Sequence, residues 1–160
     1  MIQLLNKTDR KKIDFEPITE DNIKEAMCLK ISENQTRYVE SVEECLAEAE
    51  ERRCWRAVGI CDDDKMVGFA MYGYFWDYLP FGRVWLDRFL IDERFQGQGY
   101  GRAAMEGLIH RLDEEYGRRK IYLSVVEGNE TAERLYREFG FQRTGERDIH
   151  GERVMRLRMN

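Results

Sequence analysis

The chain has 160 residues, 42% hydrophobic and 36% charged, the composition of one soluble globular domain over residues 1–160 with enough chain for a full core. Lys and Arg total 26 against 31 Asp and Glu, and this net charge of −5 argues against a nucleic-acid binder and favours a cationic small-molecule partner. No apolar run approaches the ~20 residues of a membrane helix, and residues 1–12 carry charges without an apolar core, so neither a membrane span nor a signal peptide is expected and the predicted location is the cytoplasm.

The four cysteines (Cys28, Cys45, Cys54, Cys61) contain no C-x-x-C pair, and His110 and His150 are the only histidines, so reduced thiols and no metal site are expected. Residues 12–18 read as a first strand. Thr19 is placed to cap a helix carrying Ile23, Ala26, Met27 and Ile31 at helical spacing. Residues 33–38 are polar and read as a loop. Ser41 followed by Glu44 is a capping-box pattern opening a helix over 41–53. Residues 55–61 and 66–76 form a hairpin across Asp62-Asp63-Asp64-Lys65, and 83–91 is a long strand. A glycine-rich loop follows, then a helix with Ala104, Met105, Leu108, Ile109 and Leu112 on one face. Residues 120–126 read as a strand and 130–139 as a helix stopped by Gly140. Residues 141–149 and 152–157 form a last hairpin. The sum is a single mixed α/β (α+β) domain, with a six- to seven-stranded sheet and about four helices.

The most informative segment is Gln96-Gly97-Gln98-Gly99-Tyr100-Gly101-Arg102, between a strand and a helix. Alternate glycines let backbone approach a ligand closely, and the N–H groups of a helix start make an anion nest. The spacing is neither G-x-G-x-x-G, because Arg102 stands where the last glycine belongs, nor a P-loop, which needs a terminal Gly-Lys-Ser/Thr. A turn without a ligand and a phosphate cradle are both open on this segment alone.

Downstream, Asn129, Ala132, Leu135, Tyr136, Gly140 and Phe141 stand at N-x-x-A-x-x-L-Y-x-x-x-G-F spacing. Together with Gln96, Gly99 and Gly101, this resembles the GNAT superfamily of N-acetyltransferases over nearly the whole chain. The stretches Asn34-Gln35, 38–41, 67–73 and 82–89 further resemble bacterial spermine/spermidine acetyltransferases. The resemblance implies a GNAT fold and acetyl-CoA as acetyl donor. It implies direct attack of a polyamine amine on the thioester, no metal, and a homodimer. The alternatives are another acceptor (a protein N-terminus, an aminoglycoside or a small amine) or a catalytically silent acyl-CoA-binding module.

The same resemblance implies site roles. Tyr136 is the expected general acid for the leaving thiolate, because a phenol holds a proton at neutral pH. Its helical spacing with Ala132, Leu135 and Phe139 leaves a purely packed tyrosine open as well. Asp87 is the expected general base, directly or through water. Strict strand alternation sets it with Trp85, Phe89 and Ile91 on one face, opposite Val84, Leu86, Arg88 and Leu90. A salt bridge from Asp87 to an arginine on a neighbouring strand is the alternative. Backbone of Phe89, Leu90 and Ile91 is expected to bind the pantetheine arm, with the Ile91 N–H facing the oxyanion if a bulge frees it there. Gln96, Gly97, Gln98, Gly99, Tyr100, Gly101 and Arg102 are expected around the pyrophosphate, and Asn129 along the pantetheine. For the amine, the candidates are Glu33, Asn34, Gln35, Tyr38, Glu40, Tyr72, Tyr74 and Trp85, since carboxylates and aromatic faces both attract ammonium groups. Ordinary strand packing of the two tyrosines and solvation of the glutamates are equally open.

Overall fold

The computed structural model of the protein describes residues 11–31 and 41–160. Seven strands form: β1 (Asp14–Pro17), β2 (Trp55–Asp62), β3 (Lys65–Phe75), β4 (Arg83–Ile91), β5 (Lys120–Val125), β6 (Gln142–Arg147) and β7 (Arg153–Arg158). The helices are α1 (Ile23–Met27), α2 (Val42–Glu51), α3 (Tyr100–Tyr116) and α4 (Glu130–Glu138). The strands make one sheet in the order β1-β2-β3-β4-β5-β7-β6. Every neighbouring pair is antiparallel except β4–β5, which is parallel and is joined through α3 as a parallel pair requires. The expected α/β architecture is present.

The sheet is covered on both faces. One face packs Tyr72, Val84 and Leu86 against Met105 and Leu108 of α3 and Tyr136 of α4. The other packs Phe69, Phe75, Trp85 and Leu90 with Ala26 of α1 and Val42 and Cys45 of α2. Local chemistry sets most helix ends. Ser41 Oγ accepts the Glu44 N–H at 3.2 Å, and Glu44 returns the bond to the Ser41 N–H at 2.9 Å, so the capping box forms as expected. Asn129 caps α4 by accepting the Ala132 N–H, and Gly140 at φ +99° lets the chain leave that helix. The first helix is shorter than its apolar spacing suggests and is not capped by Thr19. Asn22 occupies the N-cap instead, and its Oδ1 accepts the Thr19 N–H at 2.8 Å, folding residues 19–22 into a turn.

The alternation expected for β4 holds only as far as Leu86. Tyr72 pairs with Leu86 but Met71 with Arg88, which leaves Asp87 as an extra, bulged residue. The bulge reverses strand parity. Phe89 and Ile91 therefore pack with the cluster of Val84 and Leu86, while Leu90 joins Trp85 on the opposite face. Neither Phe89 nor Ile91 shares a face with Trp85.

Asp92, immediately beyond β4, is fully buried. Its carboxylate accepts the Lys30 N–H at 2.8 Å and the Arg94 N–H and Nε at 2.8 and 2.9 Å, while its own N–H donates to the Val67 carbonyl. Burial works against the charge, but the Arg94 and Lys30 hydrogen bonds outweigh it and hold the carboxyl below its usual range. This latch ties the end of β4 to the segment after α1. Its stabilisation is fully present above the ordinary carboxylate pKa near 4 and is lost as pH falls from there through the lowered pKa of the folded state. Asp92→Ala is expected to lower stability by about 1–3 kcal/mol, and to flatten the acid-side fall in Tm, both read by thermal unfolding between neutral and acidic pH.

Candidate active site

β4 and β5 pair only at Val84–Ile121 and Trp85–Tyr122, and beyond Trp85 the recorded β4–β5 pairing stops. The bond from the Asp92 N–H to Val67 fixes the phase of the β3–β4 ladder, making Gly68–Ile91 and Ala70–Phe89 non-hydrogen-bonded pairs. The backbone groups of Phe89 and Ile91 thus turn away from β3 into the opening beside β5. Ile91 C=O accepts Gln96 Nε2 there at 3.0 Å. The bulge expected at Ile91 lies at Asp87, four residues earlier, yet ladder alternation still frees the Ile91 N–H from β3.

A cleft of about 840 Å³ occupies this opening. Phe89, Leu90, Ile91, Gln96, Gly97, Gly99, Gly101, Arg102, Asn129 and Tyr136 line one part of it. Gly97 (φ +74°) and Gly99 (φ +87°, the N-cap of α3) hold left-handed backbone, and nothing lies within 4 Å of where a side chain would start on either. Glycine is needed there for conformation, and the space above the loop is open for a ligand. The first turn of α3 offers its unpaired N–H groups to that space.

Two side chains of the loop point away from the cleft. The Tyr100 ring is buried and its hydroxyl donates to Asp62 at 2.5 Å, while Gln98 Nε2 caps the Arg94 carbonyl at 3.2 Å. Arg102 reaches the cleft but is ion-paired with Glu138 at 2.5 Å. Asn129 lines the cleft with its Oδ1 committed to the helix cap.

The rest of the cleft is aromatic and acidic. Trp55, Phe75, Tyr78 and Trp85 line it, with Trp55 edge-on to Phe75 at 4.4 Å and Tyr78 5.7 Å from Trp85. Among the described residues, five carboxylates (Glu44, Glu48, Asp87, Asp148, Glu152) and three arginines (Arg52, Arg88, Arg102) line it, so the walls carry negative charge. Trp85 is placed as expected. Tyr72 and Tyr74 are not brought to the cleft. Tyr72 is 1% exposed, and its hydroxyl donates to Glu115 and accepts Arg111 Nε under α3. Tyr74 donates to the Phe81 carbonyl and sits edge-on to Trp76. Both belong to the α3 side of the sheet, so the packing alternative holds for them. Glu33, Asn34, Gln35, Tyr38 and Glu40 lie outside the described residues.

Asp87 lines the cleft, and its carboxylate contacts Arg88, the next residue of β4 rather than an arginine of a neighbouring strand; Arg88 also reaches Glu48 of α2 at 3.4 Å. Tyr136 is 9% exposed, 6.0 Å from Phe141 ring to ring, and its hydroxyl has no hydrogen bond among the described residues. Burial, reinforced by the nearby charge of Glu152, pushes its phenol up to about 12. Tyr136 is therefore a protonated, unengaged donor in the cleft wall. Sequence reasoning missed Ser124, Asp148 and Glu152, as well as the wall of Trp55, Phe75 and Tyr78, because their convergence depends on strand register and on the last hairpin.

These features agree with comparisons to known proteins. The chain belongs to the Acetyltransferase (GNAT) family, whose model matches residues 19–141. It is 47% identical over 146 residues to a spermine/spermidine N(1)-acetyltransferase of Bacillus subtilis, covering 89% of this chain and 96% of that protein. Its fold matches the crystal structure of an acetyltransferase from Thermus thermophilus (TM-score 0.72, 22% identity, 94% of this chain and 99% of that one). It also matches that of spermidine N-acetyltransferase from Vibrio cholerae in complex with CoA and spermine (TM-score 0.66, 19% identity, 90% and 92%).

The buried phenol gives a direct test. In ultraviolet titration, the difference between wild type and Tyr136→Phe should be one tyrosinate ionising near pH 12, above the ordinary phenol range near 10. A difference curve centred on the ordinary value would show the hydroxyl to be solvated.

Proposed function

We propose that the protein transfers the acetyl group of acetyl-CoA to a primary amine of a polyamine such as spermidine or spermine. The observation that carries this reading is the joining, in one cleft, of an anion-cradling glycine loop to an acidic aromatic chamber, with a protonated tyrosine in the wall. The spermine/spermidine N(1)-acetyltransferase at 47% identity supports the choice of acceptor.

The residues fit acetyl-CoA. The backbone of residues 97–102 at the start of α3 holds the pyrophosphate, with Arg102 beside it. The outward-facing backbone of Phe89 and Ile91 and the Asn129 side chain hold the pantetheine arm. The Ile91 N–H is the donor for the oxyanion.

Trp55, Phe75, Tyr78 and Trp85 receive the cationic chain of the amine through their ring faces, and Glu48 and Asp87, bound through Arg88, add negative potential. The deprotonated amine attacks the thioester carbon, and Tyr136 gives its proton to the departing sulfur. No metal enters this scheme. Assembly as a homodimer, which the family resemblance implies, and a cytoplasmic location complete the proposal.

The test is thiol release from acetyl-CoA with spermidine, spermine, putrescine, a peptide amine and an aminoglycoside as acceptors. Spermidine or spermine should give the highest kcat/KM. Tyr136→Phe should lower kcat by about 100-fold or more while CoA binding by calorimetry is retained. Preference for another amine would remove the polyamine assignment and keep the acetyltransferase; binding of acetyl-CoA without turnover on any amine would favour a silent module.

A further inference from the structure

Of the five carboxylates lining the cleft among the described residues, four are committed. Asp87 and Glu48 share Arg88, and Glu44 accepts the Ser41 N–H in the capping box. Asp148 Oδ1 accepts the His150 and Glu152 N–H groups, each at 2.9 Å. Glu152 differs. Its carboxylate makes no salt bridge and accepts no backbone N–H among the described residues; it accepts the Ser124 hydroxyl at 2.9 Å and lies against the Asp148 carboxyl.

Its position is built rather than incidental. Glu152 stands one residue before β7 at the end of a turn closed on both sides, Glu152 N–H to Asp148 Oδ1 and Asp148 N–H to Glu152 C=O. Ser124 lies on β5 opposite Val154 of β7, in the stretch recorded without β4 pairing, so its hydroxyl steadies Glu152 at the mouth of the opening. Among the described residues, Glu152 is also the charge that acts, besides burial, on the Tyr136 phenol.

We infer that Glu152, given the reading of this cleft as an acetyl-transfer site, is the catalytic proton acceptor for the amine, paired with Tyr136 as donor. The Glu152 carboxylate takes one proton from the incoming ammonium, which frees the nitrogen lone pair. The C–N bond forms, the C–S bond breaks, and the sulfur takes the Tyr136 proton. The second proton lost by nitrogen restores the phenol, and Glu152 returns its proton to solvent. One proton thus ends on the CoA thiol and one in bulk water. The groups facing Glu152 come from every element around it: Ser124 on β5, Tyr136 on α4, Arg88 on β4 and Asp148 in its own turn. Burial and Asp148 raise its affinity for a proton, while Ser124 and Arg88 lower it, with a net rise above the usual carboxylate range.

The experiment is the pH dependence of kcat and kcat/KM, with spermidine and the other amines above, for wild type, Glu152→Gln and Ser124→Ala, with folding checked by circular dichroism and CoA affinity by calorimetry. Wild type should lose activity on an acidic limb set by Glu152. In Glu152→Gln, kcat at neutral pH should fall by about 100-fold or more. That limb should be replaced by a steady rise towards the amine's own pKa near 10, as only amine already deprotonated in solution reacts. CoA affinity should not change. Ser124→Ala, which removes a hydrogen bond to the charged form, should move the wild-type limb to higher pH.

A Glu152→Gln profile parallel to wild type, or a rise in amine KM with kcat unchanged, overturns the inference and leaves the acetyltransferase reading standing. A limb unmoved in Ser124→Ala counts against it independently, should Glu152→Gln not fold. Wild-type protein inactive on every amine would overturn the proposed function, and this inference with it.

Discussion

The extra residue in β4 governs the rest of the molecule. A strand paired without interruption on both edges would bury all its backbone groups in ladders and leave nothing to bind a ligand. With Asp87 bulged, β4 changes parity and bends, and its recorded pairing with β5 ends at Trp85. Two consequences follow from the same insertion. Phe89 and Ile91 turn their side chains onto the α3 core and their backbone groups into the gap. Asp87 is left at the kink, where Arg88 and, through it, Glu48 of α2 hold the sheet to the helix that covers the acceptor side.

The glycine loop depends on that bend for its position. β4 ends on Asp92, whose buried carboxylate gathers Lys30 and Arg94, so the chain enters the loop from a fixed point. Gln96 then reaches back to the Ile91 carbonyl, joining the loop to the last free edge position of the strand. A cradle for a diphosphate must be preorganised to bind well, since ordering a floppy loop would consume much of the binding free energy. Here the ordering is done by a buried acid and an amide with no part in the chemistry.

Features encoded within a few consecutive residues were legible in the sequence. The Ser41–Glu44 box, the Gly97 and Gly99 turn and the Gly140 stop each act through local backbone, and each forms. The bulge was not legible, because it is a relation between β3 and β4 and leaves RVWLDRFLI looking like a regular alternating strand. The same limit explains Tyr72 and Tyr74. Alternation puts them on one face of β3, but which face meets the cleft depends on where α3 packs, and they lie under it. Glu152 was hidden for a third reason. In sequence it is one more acid in a charged turn, and only the β5–β7 register brings Ser124 alongside it.

The two ends of the cleft pose an electrostatic problem that the fold solves without opposing clusters of side-chain charge. For the proposed reaction, a chain of net charge −5 must accept both a polyanionic donor and a polycationic acceptor within a few Debye lengths, each about 8–10 Å. A loop rich in arginine would attract the donor but would also repel the amine nearby. Instead the proposed anion site is made chiefly of backbone N–H dipoles at the start of α3, which favour phosphate at short range and add no net charge. Its one lining arginine, Arg102, is already matched by Glu138. The carboxylates therefore dominate the rest of the cleft, where Arg88 balances Asp87 and Glu48, backbone N–H groups hold Glu44 and Asp148, and Glu152, near Tyr136, accepts the Ser124 hydroxyl. The commitment of the other four, two to Arg88 and two to backbone N–H groups, is what makes Glu152 chemically distinct.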